Sequence, residues 1–125
     1  INAGSPYYGI RSVYDGRYRY IVNLTPEATF QNVETKSPLF KEWKRLAETD
    51  SHAKAMTTKY QHRPAIELYD VKTDPYCMKN LAEDAKQAST ISRLDKELKR
   101  WMKDCGDEGQ PTEMRAFEHM PGKRK

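Results

Sequence analysis

Residues 66–82 read Ile-Glu-Leu-Tyr-Asp-Val-Lys-Thr-Asp-Pro-Tyr-Cys-Met-Lys-Asn-Leu-Ala, and they restrict the fold more than any other stretch of the 125-residue chain. The run 66–71 has β-formers at its ends and centre, which predicts a strand. Asp74-Pro75 then breaks it. The proline ring holds φ near the turn value, and the aspartate before it can bond to backbone just ahead. Asn80-Leu81-Ala82 leads into a helix expected over 85–104, with Asp84 as its cap. Ala88, Ile91, Leu94, Leu98, Trp101, Met102 and Cys105 recur there at steps of three and four, while Arg93, Lys96, Glu97 and Arg100 fill the other side. Gly106 stands where a helix end favours glycine. A strand, a sharp turn and a long amphipathic helix imply a sheet for that helix to cover.

The rest of the sheet is readable at the other end of the chain. Strands are expected over 7–14 and 17–24, around Asp15-Gly16. Asp-Gly is a favoured two-residue hairpin loop because both positions take positive φ. That loop pairs Val13 with Tyr18, Arg11 with Tyr20 and Gly9 with Val22, on a face that also carries Tyr7 and Leu24 and is expected to be buried. Arg11 is the one charge on it. Its expected partner is a carboxylate such as Glu67 or Asp70, with Tyr20 to stack on; the alternative is direct contact with a substrate. Residues 25–36 are expected to be irregular. Ser37 caps a helix with Pro38 in its first turn and an apolar stripe of Phe40, Trp43, Leu46 and Ala47. A second helical run covers 51–59. Tyr60-Gln61-His62-Arg63-Pro64 then enters the third strand, and Pro64 biases Arg63 to extended backbone, so that His62 and Arg63 project from a fixed loop.

The fold class expected is therefore α+β: a small antiparallel sheet (hairpin 7–24 plus strand 66–71) packed against helix 85–104. Residues 1–105 form the domain, and 106–125 a tail in which 114–117 adds an edge strand.

Composition narrows function by exclusion. Mean hydropathy is −0.98, and no run approaches the roughly 18 apolar residues of a membrane span. Ile-Asn-Ala-Gly-Ser-Pro at the start lacks the basic residues and apolar core of a signal peptide. Residues 1–65 hold ten Lys and Arg against six Asp and Glu, whereas 66–105 and 106–125 each balance, so the net charge of +4 lies in the first half. A basic surface suits a polyanion, and it equally suits a solvated face with no ligand. Cys77 and Cys105 flank the long helix, which spans about 30 Å, and a disulfide needs Cα atoms within about 7 Å; both thiols are expected to be free. His52, His62 and His119 have no metal-ligand spacing. No Gly-rich phosphate loop occurs. Asp70 and Asp74 both suit turn geometry. Asn23-Leu24-Thr25 is a glycosylation triplet at a strand end.

Two motifs carry a resemblance. Glu67, Leu68, Tyr69, Asp70, Asp74, Pro75, Asn80, Leu81 and Ala82 match an "ELYDLxxDPxExxNLA" segment near the C-terminus of type I sulfatases, with Cys77 and Met78 where an acidic or polar pair is more usual. Arg11-Ser12-Val13 followed by Arg17-Tyr18-Arg19-Tyr20-Ile21-Val22-Asn23-Leu24 is similar to the "RSVxxxRYKYIxNL" hairpin of the same family. Ser37-Pro38-Leu39-Phe40 and the helix after it also fit. The likeness covers roughly residues 7–105, and within the family it is closest to the heparan N-sulfatase (sulfamidase) group.

The resemblance implies a C-terminal subdomain of a sulfuric ester or sulfamate hydrolase. The family's chemistry rests on a Cys- or Ser-x-Pro-x-Arg motif, oxidised to formylglycine, and on a calcium ion held by Asp and Asn. Neither Cys77 nor Cys105 starts such a motif. The implied partner is a catalytic domain outside these residues, and no cofactor and no catalytic residue is assigned to this chain. Its implied role is to shape the substrate pocket and brace that domain, with His62, Arg63 and Arg11 as candidate contacts to a sulfated carbohydrate and no metal ligands. Periplasmic, extracellular or lysosomal location is implied by the family alone. The alternative is a free-standing module for sulfated glycans, with Arg17, Arg19, Lys41, Lys44 and Arg45 as its patch. Nucleic acid is not expected, because the Arg-Tyr alternation at 17–20 is also the period of a strand. A membrane partner is not expected either. An isolated piece is expected to form homo-oligomers through the face that would otherwise meet the catalytic domain.

Overall fold

The computed structural model describes residues 8–115 and 118. Three strands, β1 (Ile10–Tyr14), β2 (Tyr18–Asn23) and β3 (Ile66–Asp70), form one antiparallel sheet in the order β1-β2-β3. Between β2 and β3 lie a 3-10 turn (Glu34–Lys36) and two helices, α1 (Pro38–Leu46) and α2 (Ser51–Gln61). After β3 a 3-10 turn (Ala85–Gln87) runs straight into α3 (Ala88–Asp104), and a short α4 (Gln110–Met114) follows. The α+β class, the three strands and the long helix agree with the sequence.

The hairpin differs from its expected register by two residues. Val13 pairs with Tyr20 and Arg11 with Val22. The cause is the Asp15 side chain, which accepts from the amides of Arg17 at 2.9 Å and Tyr18 at 2.7 Å. Asp15 thereby joins the strand end, its own amide donating to Tyr18 O, and the loop becomes Gly16-Arg17. Only Gly16 then carries a positive φ, +97°, and there glycine is free of the Cβ clash. A shift of two preserves the side-chain alternation, so among the described residues the face expected to be buried is the one turned to the core; Tyr7 lies outside the described residues. Tyr20, Leu68, Leu94 and Leu98 make the core, with Val13, Tyr18, Val22, Leu81, Ile91 and Met102 packed around it. Burial, and then the charge of Asp95, push the Tyr20 hydroxyl up to about 12, and it stays a donor to that carboxylate at 3.1 Å.

The caps expected at Ser37 and Asp84 are present, and Asp50 adds a third. Ser37 Oγ accepts from Phe40 N, and the Asp50 and Asp84 carboxylates accept from Ala53 N and Lys86 N. The apolar stripes were over-read. Of α1 only Phe40 is buried, while Trp43 is 47% exposed and Leu46 50%. On α3 Trp101 is 55% exposed, and Ala88 and Cys105 are exposed as well. Met102, in the same last turn as Trp101, packs against the core, so Trp101 lies off the buried side of the helix.

β3 is an edge strand, and the Asn80 side chain closes its outer side. Asn80 Oδ1 accepts from Leu68 N at 2.8 Å, Asn80 Nδ2 donates to Ile66 O, and Leu81 N donates to Leu68 O. That is the physical use of the Asn-Leu-Ala segment: it satisfies the exposed ladder that would otherwise pair with another chain.

Residues 107–114 return to the sheet. Asp107 and Glu113 both ion-pair with Arg11, and α4 begins with Pro111 in its first turn. Met114 is therefore helical and not in an edge strand, as proline pre-sets helical φ at that position and offers no amide for a sheet ladder. Residues 116–117 of the expected strand lie outside the described residues. Asn23, of the glycosylation triplet, is 2% exposed, and its amide nitrogen donates to Pro64 O and Glu67. Cys77 and Cys105 are free thiols.

Candidate site on the outer face of the sheet

The sheet's second face is only partly covered. Arg19 and Ile21 of β2 and Glu67 and Tyr69 of β3 point to it, and α1 and α2 stand along its side. The helices are held there by a second apolar cluster, distinct from the core. Phe30, 7% exposed, sits edge-on to Tyr8 and Tyr60, and Tyr60 meets Phe40. Phe30 N donates to Gln61 O at 2.7 Å, which pins the irregular connection beneath the end of α2.

Two adjoining hollows result. One, of about 480 Å³, is lined by Arg19, Ile21, Trp43, Arg63, Tyr69 and Tyr76 among others. The other, of about 520 Å³, includes Lys54, Thr58, His62, Pro64 and Asn80. Lys59, Glu67, Tyr69 and Met78 border both. Lys59 Nζ donates to Cys77 O at 2.6 Å and Met78 O at 2.8 Å, and lies 5.2 Å from the centre of the Tyr69 ring. Its ammonium forms the ridge between the hollows.

The floor is polar and buried. Glu67 is 5% exposed and accepts from Asn23 Nδ2 at 2.8 Å and from the Tyr69 hydroxyl. Burial, and then that bond to Glu67, raise the Tyr69 hydroxyl above the ordinary phenol value, so it remains a donor. The carboxylate is thus held by neutral donors.

His62 and Arg63 fall on this site, one in each hollow. His62 is exposed, and its amide closes α2 by donating to Thr58 O. Arg63 is half-buried, with its guanidinium 5.2 Å from the centre of the Phe30 ring. Its Nε is buried and has no hydrogen-bond partner among the described residues. A buried guanidinium donor without an acceptor is costly; the Phe30 ring beneath it offsets part of that cost. Arg11 is not brought to this site. It lies on the face that α3 covers, where Nε and Nη2 bond Asp107 and Nη1 bonds Glu113 at 2.7 Å. Its expected partners are also otherwise engaged: Glu67 as above, and Asp70 with Arg17 at 2.7 Å, which holds the Asp70 carboxyl below its usual range. Of the proposed basic patch, Arg17 and Arg45 are paired with Asp70 and Glu42, whereas Arg19 makes no ion pair among the described residues and lines the groove.

Trp43, Lys59 and Tyr76 were missed as site residues. Trp43 reads as helix core, and Tyr76 as one of many tyrosines. Only Lys59 had a signal, as a lone cation one turn before the Pro64 loop. Among the described residues no group of three or more His, Cys, Asp and Glu could hold a metal ion. The residues here therefore do not fit the family's calcium site, and neither cysteine fits its formylglycine motif. No helix among the described residues is long and apolar enough to cross a membrane.

No family model matches the chain. It is similar to two ulvan-active sulfatases of Formosa agariphila. One is 34% identical over 108 residues, covering 83% of this chain and 18% of the relative. The other is 32% identical over 98 residues, covering 78% and 18%. The chain therefore spans about a fifth of the length of these curated relatives. Neither relative supports the expected closer likeness to heparan N-sulfatases. Over about four fifths of its length the chain is thus related in sequence to a region of these sulfatases.

Proposed function

We propose that this chain is the C-terminal subdomain of a sulfatase, and that it shapes the substrate pocket and braces the catalytic domain without supplying catalytic residues. The observation that carries the reading is Arg63. It is held by the Pro64 loop, half-buried, lines the groove, and makes no ion pair among the described residues. A sulfate or sulfamate group carries negative charge on oxygens that a guanidinium grips through two bonds, and His62, next in the chain, lines the adjoining hollow as a further hydrogen-bonding group. The two relatives support the sulfatase class, and their activity on ulvan favours a sulfated carbohydrate over a small ester. Calcium and formylglycine belong to the catalytic domain in this reading, and the location is extracellular or periplasmic.

The test is Arg63→Ala in the enzyme that carries this segment. KM for a sulfated oligosaccharide should rise, with kcat and melting temperature nearly unchanged, and a small aryl sulfate should be affected less. Equal losses on both substrates, or a large fall in melting temperature, would make Arg63 a structural residue. Including an N-sulfated sugar in the panel tests the narrower sulfamidase reading. Alone, the chain should turn over none of these substrates.

A further inference from the structure

The groove has two aromatic walls that the sulfate-binding reading does not use. Trp43 is 47% exposed and Tyr76 85% exposed, and both line the 480 Å³ hollow over Ile21 and Tyr69. Its volume is within the range of small-ligand pockets. Tyr76 is not on a loose loop. Cys77 N donates to Asp74 O at 3.0 Å, Lys79 N donates to Asp74 Oδ2 at 2.8 Å, and Lys59 holds the carbonyls of Cys77 and Met78. Cys77 completes the turn at φ +53°, in the left-handed region that disfavours a residue with a Cβ. A turn tied at this many points, with one strained residue, presents an almost fully solvated ring. Charge identifies the kind of occupant. Arg19 is exposed, and it and Arg63 line the same groove with no ion pair for either among the described residues.

From these residues we infer that Trp43 and Tyr76 form a sugar-ring subsite, which takes the unit next to the sulfated one in an anionic carbohydrate chain. The inference rests on the sulfatase reading and deepens it. The apolar face of a pyranose ring lies against the aromatic faces, as other flat apolar surfaces do. Arg19 meets an anionic substituent of the same unit. The subsite reads the length and shape of the chain, while Arg63 and His62 read the sulfate.

The experiment is a titration of the 125-residue chain, followed by amide and indole NMR shifts. The probes are a sulfated glucan oligosaccharide, the same oligosaccharide without sulfate, and a sulfated monosaccharide. Trp43→Ala and Tyr76→Ala should each weaken binding of the sulfated oligosaccharide by roughly fivefold to tenfold, leaving the sulfated monosaccharide unaffected. Arg63→Ala should weaken both sulfated probes. Tyr76 is so exposed that its variant will fold, which an unchanged amide spectrum verifies. If sulfated probes bind and the aromatic variants match wild type, the subsite is overturned and the sulfatase reading stands. If no sulfated probe binds, the subsite is overturned, and the sulfatase reading is decided by Arg63→Ala in the whole enzyme. If Tyr76→Ala abolishes self-association and leaves sugar affinity intact, the walls belong to a protein interface and the subsite is overturned.

Discussion

Arg11 on β1 is ion-paired with Asp107, across a separation of 96 residues. The pair joins the hairpin to the segment after α3, with side chains only 14% and 10% exposed. Removing one partner of such a pair leaves a poorly solvated charge, which is the costly way to break it. Asp107→Ala should lower stability by about 1–3 kcal/mol, less than for a fully buried pair because Glu113 remains. Urea unfolding measures this, and a change below about 0.5 kcal/mol would show the contact to be incidental.

Acid should weaken the fold through the same kind of contact. The Arg93 guanidinium, with the amides of Tyr18 and Arg17, holds Asp15 down at about 2, and Arg11 holds Asp107 below its usual range. Each folded value lies below the unfolded one. The stabilisation is therefore present above about pH 4 and lost as pH falls through the folded value, near 2 for Asp15. Melting temperature should drop across that window. Asp107→Asn should be less stable at pH 7 and show a shallower acid fall. A flat profile from pH 5 to 2 would contradict the ion-pair account.

The two ends of the α3 stripe should respond differently. Leu98 is 3% exposed, and Leu98→Ala should cost about 2–5 kcal/mol. Trp101→Ala should stay within about 1 kcal/mol, since the ring is half in water. Comparable losses from both, by thermal or urea melts, would mean Trp101 is covered in solution.

Asn80→Ala should expose the edge of β3. It removes the acceptor of the Leu68 amide and the donor to Ile66 O. We expect a loss of about 1–3 kcal/mol, the cost of an unsatisfied buried amide, and faster hydrogen exchange at Leu68. Unchanged exchange there would show that water or Leu81 replaces the side chain.

Local signals in the chain were legible, and those that depend on neighbours were not. Ser37 and Asp84 cap the helices they precede because capping involves only the next three residues. The strand faces were also readable, since alternation survives a two-residue slip. The loop itself was misplaced because Asp15 has two uses, as a loop residue with positive φ or as a side-chain acceptor, and the structure takes the second. Trp43, Leu46 and Trp101 have core spacing but no covering element, and helical period alone cannot show how wide a stripe is covered. Arg11 was rightly read as needing a carboxylate. Its partners came from a segment whose return to the sheet no local pattern announces. His62 and Arg63 were placed on one loop by Pro64, but the groove that receives them depends on Phe30, Tyr60 and Lys59, which converge only in the fold.

In the proposed role the Pro64 loop and the Tyr76 turn face the substrate. The direct measurement is hydrogen exchange on the sulfatase carrying this segment, with and without a slowly hydrolysed sulfated oligosaccharide. We predict slower exchange for amides of residues 59–63 and 76–79, with α3 unchanged. Protection confined to the α3 side, or absent from both segments while the ligand is bound, would contradict the account.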